Sequence, residues 1–120
     1  MRICISAEGK TSDSNVDQRF GRCKYFMFID IDSMKFEIVE NNNINNSEGA
    51  GVKAGQLVVS KEIGALLTGN IGPNACQIVN SASIEIYTGI KGKISDVVKD
   101  FQSGKFKKTS LPNVDSKAGR

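Results

Sequence analysis

A chain of 120 residues, 39% hydrophobic and 24% charged, has the size and composition of one soluble globular domain with a single core. No apolar run is long enough to span a bilayer, and Met1-Arg2-Ile3-Cys4-Ile5 opens without a signal-peptide core, so the expected compartment is cytoplasmic and no membrane is expected as a partner. The net charge of +3 is uneven: Lys105, Lys107, Lys108, Lys117 and Arg120 outnumber Asp115 in residues 105–120 and leave residues 1–104 at −1.

The basic end reads as a flexible tail behind a domain spanning 1–104. With no basic stripe on the body and few aromatics, nucleic acid is not an expected partner. Cys4, Cys23 and Cys76 are widely spaced and odd in number, which argues against a disulfide framework, and no C-x-x-C pair offers a zinc knuckle. The chain has no histidine, which removes Ser-His-Asp and Cys-His catalysis together with the commonest general base.

Along the chain, residues 1–6 alternate as a strand, with Ile3 and Ile5 on one face and Cys4 on the other. Residues 7–19 are polar and rich in Gly, Ser and Asn, the composition of a long mobile loop with only Val16 to offer a core. Residues 24–31 form an aromatic strand covered on both faces, and Asp30–Ser33 turns it into a partner carrying Met34, Phe36 and Ile38. The Asn-rich stretch 41–46 is loop. From Ser47 the period becomes helical, with Ala50, Ala54, Leu57 and Val58 on one side. Residues 63–68 are a buried strand, and Gly69–Pro73 is a turn in which Pro73 fits the first position of a helix burying Ala75, Ile78, Val79 and Ala82. Residues 84–88 are the last strand. A final helix carries Ile94, Val97, Val98 and Phe101, with Ser95 as its N-cap and Gly104 as its stop. The order β-β-β-α-β-α-β-α predicts an α/β fold whose mixed sheet has a parallel portion and whose second strand is antiparallel.

Ligands of open α/β sheets collect beyond the carboxyl ends of the parallel strands. Three glycine-bearing segments converge there: loop 7–22, Gly69–Pro73 and Gly89–Gly92, with Gly49-Ala50-Gly51 bordering them. Glycines admit close approach and helix starts offer N–H groups, which favours an anion. Each glycine taken singly is as well explained by a turn. Among the thiols, Cys23 follows Arg19 and Arg22, which would lower its pKa, and Cys76 lies in the first turn of a helix, whose dipole acts the same way. Cys4 reads as a small buried hydrophobe.

Asp17-Gln18-Arg19-Phe20-Gly21-Arg22, Gly49-Ala50-Gly51, Thr68-Gly69-Asn70-Ile71-Gly72-Pro73-Asn74-Ala75 and Ile86-Tyr87-Thr88-Gly89 together resemble the dinitrogenase iron–molybdenum cofactor biosynthesis family over residues 1–104. The resemblance implies a ribonuclease H-like three-layer fold with a five-stranded sheet in order 3-2-1-4-5. It implies non-catalytic binding or carriage of an anionic metal–sulfur cluster, of iron–molybdenum or molybdenum–copper sulfide type, that purification can strip away. A protein that donates or accepts the cofactor is the implied partner, and no oligomeric state follows. The implied site comprises Arg19, Phe20, Gly21, Arg22, Cys23, Gly69, Asn70, Ile71, Gly72, Asn74 and Gly89, with Cys23 and Cys76 as candidate metal ligands. Relatives often use a histidine, which this chain lacks, so backbone N–H groups, arginines and Cys23 are left to hold a cluster. A protein-interaction or regulatory module without a cluster is the alternative. A nuclease is rejected, because strands 1–6 and 63–68 carry no carboxylates to hold divalent metals.

Overall fold

The computed structural model describes residues 1–42, 49–109 and 111–113. Its elements are β1 (Arg2–Ala7), β2 (Tyr25–Asp30), β3 (Phe36–Glu40), α1 (Ala50–Ser60), β4 (Ala65–Leu67), α2 (Pro73–Ser81), β5 (Glu85–Tyr87) and α3 (Ile94–Gln102). The sheet order is β3-β2-β1-β4-β5. β2 runs antiparallel to both β1 and β3, whereas β1, β4 and β5 are parallel.

β1 lies at the centre, with Ile5 opposite Met27 on one side and Leu67 on the other. Because successive side chains alternate across a strand, Cys4 joins Phe26, Phe28 and Leu66 beneath α1 and α2, while Ile3 and Ile5 join Met27 and Leu67 beneath α3. Helices on both faces explain why β1, β2 and β4 read as continuous apolar runs. Phe20 packs edge-on against Phe26 at 5.8 Å between ring centres, which ties the first loop to the α1–α2 side of the core.

Three local expectations are corrected. The N-cap of α3 is Lys93, not Ser95, whose N–H donates instead to the Ser12 carbonyl at 2.9 Å. Loop 7–19 is pinned rather than free: Val16 N–H donates to Gly92 O, Asp17 N–H to Ser6 O and Ile94 N–H to Ser14 O, all at 2.8–2.9 Å. Its polar side chains give no core signal, but its backbone groups find partners on β1 and at the start of α3. The segment following α3 also docks. Phe106 packs against the α3-side core, Thr109 N–H donates to Ile86 O at 2.6 Å, and Asn113 reaches the turn after β4. The proposed helix start at Ser47, most of the 41–46 loop and the tail's 114–120 end lie outside the described residues. Among the described residues no helix is long and apolar enough to cross a membrane.

Candidate functional site

Beyond the carboxyl ends of β1 and β4, a small solvent-open pocket of about 40 Å³ is lined by Phe20, Gly21, Gly49, Ala50, Gly51, Val52, Gly72, Pro73, Asn74 and Ala75. Two helix starts and one loop make it. Small residues bring α1 and α2 together: a Cβ on Gly55 would lie 3.2 Å from Ile78 Cγ2, and one on Gly51 would lie 3.7 Å from the Ala75 Cβ. Gly21 in turn sits against α1, where a Cβ would come within 3.1 Å of the Gly51 nitrogen, so the loop backbone reaches the helix start only without a side chain.

Gly49 begins α1 at φ 77° and Gly72 begins α2 in extended conformation, and neither start has a side-chain cap or an acid in its first turn. The N–H groups of a first helical turn lack intrahelical acceptors and sit at the positive end of the helix dipole. Two such ends side by side favour an anion.

The loop that forms the third wall is braced internally. The Asp17 carboxylate accepts from Arg19 N–H at 3.2 Å and Lys24 N–H at 3.3 Å, and the buried Asn41 amide donates to the Gly21 and Cys23 carbonyls at 3.2 and 2.8 Å. Asn70 N–H donates to Gln18 O at 2.7 Å and Phe20 N–H to Asn70 O at 3.1 Å, stitching the loop to the turn after β4. Ser6 Oγ, bonded to Asp17 O and to Thr68 Oγ1 at 2.7 Å each, ties both segments to the sheet.

Of the expected site residues, Phe20, Gly21, Gly72 and Asn74 line the pocket. Arg19 is exposed next to Phe20, and Arg22 is half-buried one residue beyond Gly21. Gly69, Asn70 and Ile71 stand behind the wall. The Asn70 and Ile71 N–H groups are committed to Gln18 O and Asn113 Oδ1, and Gly89 N–H donates to Gly69 O at 2.8 Å as further support.

The thiol expectations are reversed. Cys23 is wholly buried, and desolvation first, then the nearby Cys4 and Asp17, push its pKa well above the ordinary value despite the two arginines in its sequence neighbourhood. Cys76 is buried on α2 and likewise raised by desolvation, against the opposing Asn80 amide 3.5 Å from its sulfur. Cys4 is raised by its burial in β1. No group of three His, Cys, Asp or Glu side chains is placed to hold a metal ion among the described residues. The pocket therefore offers charge and N–H groups to an anion, and none of its lining residues is a cysteine.

Sequence reasoning left Gly49, Ala50 and Gly51 at the margin of the site and did not name Val52, although Gly49-Ala50-Gly51 before a helical period is a legible sign of an uncapped start. It missed the bracing amides of Asn41 and Asn113, for which an asparagine in a polar stretch gives no distinguishing signal.

The family described as dinitrogenase iron-molybdenum cofactor matches residues 1–104. The apo form of the orange protein from Desulfovibrio gigas superposes with a TM-score of 0.90 at 35% identity, over 94% of this chain and 96% of that one. A NifB-like protein from Thermotoga, of the DUF35 family, superposes with a TM-score of 0.81 at 31% identity, over 94% and 97% of the two chains. An uncharacterized protein of Methanocaldococcus jannaschii is 29% identical over 99 residues, covering 80% of this chain and 84% of its own length. The chain belongs to the dinitrogenase iron-molybdenum cofactor family.

Proposed function

We propose that this protein is a non-catalytic carrier of an anionic molybdenum–sulfur cofactor or precursor, of iron–molybdenum or molybdenum–copper sulfide type, which it exchanges with a donor or acceptor protein. The observation that carries the reading is the pocket built from the starts of α1 and α2, both without a side-chain cap and without an acid in the first turn. A soft polyanion in that pocket meets N–H groups and helix dipoles on two sides. Arg19 and Arg22 add positive charge at the loop. Cargo without a covalent bond to the protein can leave for a partner, which is what carriage requires. Membership of a family named for the iron–molybdenum cofactor, and likeness to the orange protein, support the cargo class.

The test is anaerobic incubation with tetrathiomolybdate, alone and with copper(I) or iron(II), followed by desalting, elemental analysis and a visible spectrum. Protein-bound molybdenum with a charge-transfer band is the expected result, reduced in Arg19→Ala and Arg22→Ala and retained in Cys23→Ser. A parent chain that emerges free of molybdenum under all three conditions would reject the reading.

A further inference from the structure

The residues beyond the family's 1–104 span include one whose contacts the pocket alone does not explain. Asn113 is anchored to the turn after β4 by four hydrogen bonds. Its Oδ1 accepts from Ile71 N–H at 2.8 Å, its Nδ2 donates to Gly69 O at 3.0 Å and Asn70 Oδ1 at 3.2 Å, and its own N–H donates to Ile71 O at 3.2 Å. The side-chain amide thus brackets the backbone of residue 70 as a neighbouring strand would. Ile71 is followed directly by Gly72, the N-cap of the helix that walls the pocket.

The same segment holds on at two other places. Thr109 N–H donates to Ile86 O on β5 at 2.6 Å, and Pro112 shares a surface hollow with Pro73, Cys76 and Gln77 on α2. The described residues therefore reach from the edge strand at Thr109, past the first turns of α2 at Pro112, to the turn that leads into that helix at Asn113. Gly69 and Gly72 flank the turn, and glycine loses more conformational freedom on ordering than any other residue, so the turn has little intrinsic preference for the conformation it adopts.

We infer that Thr109 and residues 111–113 form a C-terminal strap and that Asn113 is its clasp, a positioning residue that fixes the start of α2 and with it one wall of the pocket. The consequence for cargo rests on the carriage reading above. With the clasp in place the N–H groups at the start of α2 are aimed before the anion arrives; without it, ordering the turn is charged against binding.

The experiment uses the full chain with Asn113→Ala, an exposed position where folding is not at stake. Amide exchange is read at Cys76, whose N–H donates to Gly72 O at 3.0 Å, with Ile5 in β1 as the internal control. Exchange at Cys76 should rise at least about tenfold while Ile5 is unchanged, since the loss is local. Tetrathiomolybdate affinity should fall by about tenfold. Unchanged protection at Cys76 overturns the clasp. So does equal or tighter binding by the variant, the latter meaning that the strap competes with the anion. If the parent chain itself takes up no tetrathiomolybdate, the carriage reading falls and exchange at Cys76 alone decides the clasp.

Discussion

Asn74 lies in the first turn of α2, exposed and on the rim of the pocket, so its chemistry can be changed without disturbing the core. Asn74→Asp is nearly isosteric and adds a negative charge at the positive end of the helix. That charge should leave stability unchanged or raise it by about 0.3–1 kcal/mol, read from the urea midpoint. The same charge opposes an anionic ligand, and tetrathiomolybdate affinity should fall at least about tenfold, or about 1.4 kcal/mol. Retained affinity with raised stability would mean that the ligand, if any, binds elsewhere. The cysteines behave in the opposite way to what their sequence neighbours suggest. Arg19 and Arg22 precede Cys23 in the chain, but the Cys23 side chain enters the core two residues before β2 and burial outweighs both charges. All three thiols are buried and raised above their ordinary value of 9.0. A thiol whose folded pKa is raised contributes stability that is complete below the unfolded value and is lost as pH rises past it, because the unfolded chain then ionises more readily. Folding stability should therefore decline above about pH 9, and an aromatic disulfide reagent at about pH 8 should label the native chain only at the rate of opening, while denaturant exposes three thiols at once. Rapid labelling of Cys23 in the folded protein would contradict its burial.

At the level of elements, the approach of α1 to α2 sets the pocket, and Gly55 sets the approach. Gly55→Leu introduces a better helix former, so any loss of stability reports packing rather than propensity. The new side chain enters the space of Ile78 and should cost about 1–3 kcal/mol by urea unfolding. It should also weaken tetrathiomolybdate binding, because the helix starts move apart; a variant as stable as the parent and equally able to bind would show that the contact is not tight. The periodic elements were legible because each has a buried face: Ala50, Ala54 and Val58 on α1, Ala75 and Val79 on α2, Ile94, Val97 and Val98 on α3. Pro73 at the first turn of α2 was legible too, since its missing N–H costs nothing there. Loop 7–19 and the cap of α3 were misread for one reason. Their contacts are backbone to backbone, as in Val16 N–H to Gly92 O and Ser95 N–H to Ser12 O, and such bonds leave no mark on residue choice. For the candidate site, the glycine segments marked the right edge of the sheet, but which N–H groups remained available depended on tertiary partners such as Gln18 and Asn113.

Across the whole molecule, charge is arranged by location rather than by sum. Residues 1–104 carry a net charge of −1, so attraction of an anion to the pocket depends on the two helix starts and the local arginines, and not on the net charge of the domain. The groups whose ionisation is shifted by the fold are elsewhere or silent near neutrality. The Met1 amine, raised chiefly by its hydrogen bond to Asp32, and the carboxyls of Asp30 and Glu37, lowered chiefly by backbone N–H groups and by Lys61 respectively, lie at or near the end of the sheet where β1 begins. The pocket lies beyond the end where β1 and β4 finish. There is no histidine in the chain, and the buried thiols remain protonated through neutral pH. Tetrathiomolybdate affinity should accordingly be flat between about pH 7 and 8.5. It should nevertheless fall several-fold as salt rises from about 0.05 to 0.5 M, because the screening length at an open pocket shortens from about 14 to about 4 Å over that range. Titrations at three pH values and three salt concentrations separate the two dependences. A tenfold change in affinity per pH unit would reveal a titrating ligand, and with it a thiolate that this fold does not supply; indifference to salt would show that the anion is held by something other than exposed dipoles and guanidinium groups.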